Sequence, residues 1–100
     1  MTKVTSRPFD SADYIDTPEA VAAYLEAALE DGDAQIIAAT LGDIARSKGM
    51  AIIAERTGLA REALYKSLSA DGNPRLTTLL GVLKAMGLRL SVTTDSHQAA

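Results

Sequence analysis

The chain has no cysteine, no tryptophan, one histidine and only 4% aromatic residues among its 100 positions. Without cysteine there is no disulfide framework, no thiol nucleophile and no thiolate metal site. The one histidine, His97, stands close to the C-terminal end, so a histidine-based catalytic or metal centre has nothing to be built from. No apolar run approaches the roughly 20 residues of a membrane span, and no hydrophobic leader follows the start. A soluble cytoplasmic protein is expected, with no membrane partner, no metal and no cofactor. No nucleophile–base pair and no carboxylate pair converging on a pocket can be argued from the residues, which favours a binding protein over an enzyme.

Alanine and leucine dominate, 18 and 12 residues respectively. Both favour helix and neither is β-branched, so an all-α domain is expected. At 100 residues there is room for one domain, whose modest core would gain from dimerisation. The formal net charge of −3 argues against nucleic acid only as a total. Residues 1–49 hold 4 Lys/Arg against 9 Asp/Glu, whereas residues 50–100 hold 6 against 4. The sum therefore averages an acidic half and a basic half.

Residues 1–16 show no sustained helical period and carry Phe9, Tyr14 and three Asp; they read as an extended arm. Thr17-Pro18-Glu19 is a helix start, with Thr17 as N-cap and Pro18 at the first helical position. Val21, Leu25, Ala28 and Leu29 then recur on one face. Asp31-Gly32-Asp33 ends that helix and caps a second, which runs to about Ser47 with Ile37, Leu41, Ile44 and Ala45 inward. Two short helices follow over residues 50–68, broken at Thr57-Gly58-Leu59. The cluster Ala70-Asp71-Gly72-Asn73-Pro74 is a turn that leads into a helix over 74–86, with Leu76, Leu79, Leu80 and Leu83 facing the core. Leu88, Leu90 and Val92 alternate with polar residues, which predicts a strand over 88–94 in need of a partner edge. Residues 95–100 read as a tail, leaving 17–94 as the folded domain.

Function is concentrated between Met50 and Leu68. Two helices that cross closely need a small residue in the first, which Ala54 supplies. They also need a turn residue tolerant of positive φ, which Gly58 supplies four residues later. Ile53, Leu59 and Leu64 anchor both helices. Arg61, Glu62, Tyr65 and Lys66 then remain for the outer face of the second helix, the face that enters the major groove in proteins built this way. From Arg56 to Arg89 the chain holds 6 cations and 2 acids.

The pattern Ile53-Ala54, Gly58-Leu59 and Leu64, followed by a further amphipathic helix, resembles the lambda-repressor-like (Xre-type) helix-turn-helix family. Thr57 and Ser67 stand where that family commonly has apolar residues, and Leu68 is the substitute anchor one position on. A longer resemblance, from Phe9 to Val92, is to addiction-module antidote proteins, the HigA-like antitoxins. It is carried by FDSADYIDTPEAVAAYLEAALEDGD (9–33), TLGDIARSKGM (40–50), GLAREALYKSLSADGNP (58–74) and LLGVLKAMGLRLSV (79–92). It implies a five-helix, lambda-repressor-like DNA-binding domain with a short C-terminal strand. It also implies an antitoxin that neutralises a RelE/HigB-type toxin and represses its own operon as a homodimer on operator DNA.

Several candidate contacts follow. Arg61, Glu62, Tyr65 and Lys66 would face bases and phosphates. Met50 and Ala51 would offer backbone N–H groups at a helix start, and Asn73, Arg75 and Thr77 would flank another. Glu62 is also placed to pair with Lys66 one turn on. A basic toxin would be met by the acidic half, with Phe9, Asp10, Asp13, Tyr14 and Asp16 of the arm as the proposed contacts. Two other readings fit the same residues: a stand-alone phage-type regulator with no toxin, and an interaction module that does not bind DNA.

Overall fold

Five helices succeed one another in the computed structural model, which describes residues 17–95. They are α1 (Pro18–Asp31), α2 (Ala34–Lys48), α3 (Met50–Thr57), α4 (Arg61–Ser67) and α5 (Leu76–Ala85). The architecture is all-α. The proposed arm, with its five candidate toxin contacts, lies outside the described residues, as does the tail beyond Asp95.

Caps set the first boundaries. The Thr17 hydroxyl accepts from the Ala20 N–H at 3.1 Å, and Pro18 occupies the first turn of α1. The Asp33 carboxylate accepts from the Gln35 and Ile36 N–H groups at 2.9 and 3.4 Å and starts α2. These contacts satisfy donors that a helix start leaves without partners. Gly49 then ends α2 and opens α3 in a single residue.

The core is one cluster drawn from all five helices and the residues that follow them. Its members include Val21 and Leu25 of α1, Leu41, Ile44 and Ala45 of α2, Ile53 of α3, Leu64 of α4, and Val82 and Leu83 of α5; Leu68 and Met86 complete it just past α4 and α5. Gly42, in mid-α2, lets the chain after α4 lie directly on this helix: a Cβ there would collide with the Leu68 carbonyl oxygen. A side chain at this position would push the two helices apart, so the glycine is required by packing.

Two expectations are corrected. The helix after the turn begins at Leu76, not Pro74, and buries a different face. Leu76 is 64% exposed and Leu80 43%, while Val82 and Leu83 are buried and Leu79 is half-buried. The sequence fits the i, i+3, i+4, i+7 template twice, as 76/79/80/83 and as 79/82/83/86, and the second set is the buried one. The two faces differ by about 60° of rotation at 100° per residue. Gly81 lies against Thr57 of α3, where an added Cβ would make ordinary van der Waals contact. Similarly, Leu29 at the end of α1 is exposed, although Val21, Leu25 and Ala28 are buried.

The other correction concerns residues 88–94, which form no strand. The Leu88 N–H returns to the Leu83 carbonyl at 2.8 Å and closes α5. Beyond it no secondary structure is assigned, and residues 89–94 join no ladder among the described residues. A strand is defined by its ladder, and no second edge lies among the described residues.

Candidate nucleic-acid interface

The helix–turn–helix unit is built from α3, a three-residue turn and α4. Gly58 ends α3 at φ 76°, ψ 11°, a left-handed conformation that side chains adopt only with strain. Thr57 stands where an apolar residue was expected, and its hydroxyl is accommodated locally. It donates towards the Ile53 carbonyl at 2.8 Å and accepts from the Leu59 N–H at 3.2 Å. Its methyl side stays against α5 at Gly81. The polar residue thus caps the turn while still packing.

Leu64 and Leu68 are both fully buried, which fixes the rotation of α4. Leu68 is therefore the anchor that Ser67 cannot be, as the spacing predicted. With these two inward, Arg61, Glu62, Tyr65 and Lys66 are all exposed. Tyr65 is outside the core, available at the surface. Glu62 and Lys66, though one turn apart, form no ion pair with each other.

The chain turns sharply after α4. The Ser69 hydroxyl donates to the Lys66 carbonyl at 3.0 Å, and the Gly72 N–H donates to the Ser69 carbonyl at 2.8 Å. Gly72 is pressed against the Ser67 carbonyl so closely that a Cβ could not be inserted. This fold-back creates a cavity of about 570 Å³ between α4, the turn and the start of α5. Lys66, Asn73 and Arg75, predicted separately from three stretches of sequence, line it together. Ser67, Asp71 and Thr78 also line it and were not anticipated from sequence. Their only signal is a hydroxyl or carboxylate next to a turn, which is too common to single out. Two cations against one carboxylate leave the concavity positive in sign.

The remaining candidates are more dispersed. Arg61, Glu62, Tyr65 and Thr77 are exposed but do not line this cavity. Met50 is buried with its side chain in the core, so only its backbone can serve a ligand. No side chain caps the start of α3, which leaves its first N–H groups, those of Met50 and Ala51, to solvent or to an anion. Arg56 is engaged elsewhere. Its guanidinium donates to the Ala85 carbonyl at 2.8 Å, at the C-terminal end of α5. It supports the negative pole of that helix and ties α3 to it. The structure thus removes Arg56 from the freely presented cations.

On the acidic side, Asp43 of α2 accepts from the Tyr24 hydroxyl at 3.3 Å and pairs with Arg46 one turn on. The first of these contacts joins α1 to α2. Among the described residues there is no group of three or more metal-ligating side chains, and no helix is long and apolar enough to cross a membrane.

Among the described residues the elements define a small all-α arrangement of five helices, in which α3 and α4 are joined by a tight turn and one face of α4 is exposed. Comparison with known proteins makes the assignment more particular. The family model described as "probable addiction module antidote protein" matches residues 5–94, and the chain belongs to that family. It is also 40% identical over 86 residues to an uncharacterized protein of Haemophilus influenzae (strain ATCC 51907 / DSM 11121 / KW20 / Rd), covering 86% of this chain and 89% of the relative. No solved structure matches the chain. An antidote acts against a toxin, so membership implies a cognate toxin partner.

Proposed function

We propose that this chain is the antitoxin of a two-component module, binding a basic RelE/HigB-type toxin and repressing its own operon as a homodimer on operator DNA. It acts in the cytoplasm and by binding alone, without catalysis or cofactor, through a domain of lambda-repressor type. The observation that carries the DNA half is the joint placement of Lys66, Asn73 and Arg75 on one concave surface beside the exposed face of α4. Long cationic side chains and an amide in a concavity next to a helix that can enter a groove suit a phosphate backbone. Arg61 and Lys66 would carry the base and phosphate contacts, with Glu62, Tyr65, Thr77 and the start of α3 around them.

The toxin half rests on family membership and on charge. The acidic first half suits a basic RNA-handling partner. Phe9, Asp10, Asp13, Tyr14 and Asp16 remain the proposed contacts.

A mobility-shift titration on the DNA upstream of the gene, with and without the product of the adjacent gene, tests both halves. The expected result is a saturable, sequence-dependent shift by this chain that the second protein alters, together with a stable complex of the two proteins. A shift with no complex would favour the stand-alone regulator. A complex with no shift at low salt would favour an interaction module that does not bind DNA.

A further inference from the structure

Helix α5 has 10 residues and one charge, Lys84. A surface helix turns apolar residues inward and charged or polar ones to water. In α5 the inward side is filled by Val82 and Leu83, yet the outer side is aliphatic as well: Leu76 is 64% exposed and Leu80 43%. One flank of the helix is covered within the chain. Gly81 lies against Thr57 of α3, and Thr78 lines the cavity shared with α4. Leu76 and Leu80 are each two residues from Thr78, about 200° round the helix, and so stand on the opposite flank. That flank borders two further hollows. Leu79 lines one of about 330 Å³ with Ile37 and Leu41 of α2. Leu83 lines the other, of about 130 Å³, with Leu29 of α1 and Leu90, both 44% exposed. Together they make an apolar strip along α5 that nothing covers among the described residues.

The charges at its two ends indicate what covers it. At the start of α5 the larger hollow is walled by Ala34 and Gln35, which follow directly on an acidic corner of Glu30, Asp31 and Asp33, all exposed. Arg75, at the same end, lines the cavity on the opposite flank instead. At the other end stand the exposed cations Lys84 and Arg89, against one carboxylate, Glu26. A two-fold axis at Leu80 runs two copies of α5 antiparallel. Leu80 then meets its own copy, and Leu76 meets the aliphatic stem of the second copy's Lys84. The basic end of each copy comes to the acidic corner of the other. A two-fold contact must be self-complementary, and a strip acidic at one end, basic at the other and aliphatic between is so. A basic toxin would match only one end of it, and DNA has nothing to offer the leucines. The cavity lined by Lys66 and Arg75 lies on the opposite flank and stays open in both copies.

We propose that the strip along α5 is the homodimer surface, two copies packing antiparallel about an axis at Leu80. The inference rests on the dimeric reading given above and names the surface that makes it.

Sedimentation of the full chain over a concentration series tests it, with toxin binding measured alongside. Leu76→Glu and Leu80→Glu each weaken dimerisation about tenfold or more, because the contact would strand a carboxylate among leucines. Helical circular dichroism is kept, since both side chains are exposed in the single chain. The native chain has no cysteine, so one introduced thiol reports the register. Leu80→Cys links the two copies by a disulfide under mild oxidation. Two copies of Leu76→Cys stand about 12 Å apart along the helices and do not link. A native chain that is monomeric throughout overturns both the proposal and the dimeric reading. A dimer indifferent to both glutamates leaves that reading standing on another surface and overturns the strip. Glutamate variants that keep the dimer but lose the toxin assign the strip to the toxin. Linking through Leu76→Cys in place of Leu80→Cys, or through neither, rejects the axis at Leu80.

Discussion

Gly42 and Gly58 show two different reasons for a glycine. At Gly42 the obstacle is a neighbour: the Leu68 carbonyl occupies the space of a Cβ. At Gly58 the space is empty, and the obstacle is the left-handed backbone alone. Gly42→Ala should therefore cost about 1–3 kcal/mol of stability, as overpacking between helices does. Gly58→Ala should cost about 1 kcal/mol, the lower end of the left-handed penalty. Urea unfolding of both variants checks the order. Arg56 allows a second comparison. Because its guanidinium caps α5, Arg56→Ala should lower the melting temperature while leaving the salt dependence of DNA binding unchanged. Lys66→Ala should leave the melting temperature unchanged and reduce the slope of log affinity against log salt by about 1 per protomer. Equal slopes for the two variants would mean that Arg56 also reaches a phosphate.

Among the elements, α4 and α5 had opposite outcomes. In α4 the apolar residues are few, Leu64 with Leu68 just beyond, and only one rotation buries both. The exposed set Arg61, Glu62, Tyr65 and Lys66 was consequently legible in the sequence. In α5 the apolar residues outnumber what one face can hold, so two rotations satisfied the same periodicity, and the one adopted packs Val82, Leu83 and Met86 into the common core. The Arg61→Ala/Lys66→Ala double variant should abolish the operator shift and leave toxin binding intact, since neither residue is in the core. Loss of both activities in a pull-down and a mobility shift would mean that the helix itself had been damaged. For the N-terminal segment, removing residues 1–16 should weaken toxin binding more than DNA binding; calorimetry with toxin and a shift assay with DNA would show the reverse if the arm has no role in the toxin contact.

At the scale of the whole molecule, the net charge of −3 carries little information about function. Affinity for a polyanion depends on which charges share a surface, and screening confines each to its neighbourhood, about 10 Å at 0.1 M salt. The cavity lined by Lys66 and Arg75 lies in the basic half of the sequence, so DNA binding should survive the acidic total yet fall steeply with salt. A titration between about 50 and 200 mM salt should show a loss of at least roughly tenfold. A flat response would exclude a phosphate-dominated interface. The toxin complex should also weaken with salt, chiefly through its association rate, because steering by the acidic half acts at a distance.

Local chemistry was enough to establish five helices, their caps at Thr17 and Asp33, the break at Gly58 and the outward residues of α4. Each of these depends on a few neighbouring residues: a hydroxyl or carboxylate within reach of a free N–H, a glycine where φ turns positive, one apolar stripe with one solution. Tertiary structure alone decided the face that α5 buries, the need for Gly42, the use of Arg56 as a cap and the gathering of Lys66, Asn73 and Arg75 around one cavity. Those outcomes depend on what arrives from a distant part of the chain, and no local pattern records it. The fate of residues 88–94 belongs with them: their alternation is local, but a strand needs a ladder, and none forms among the described residues.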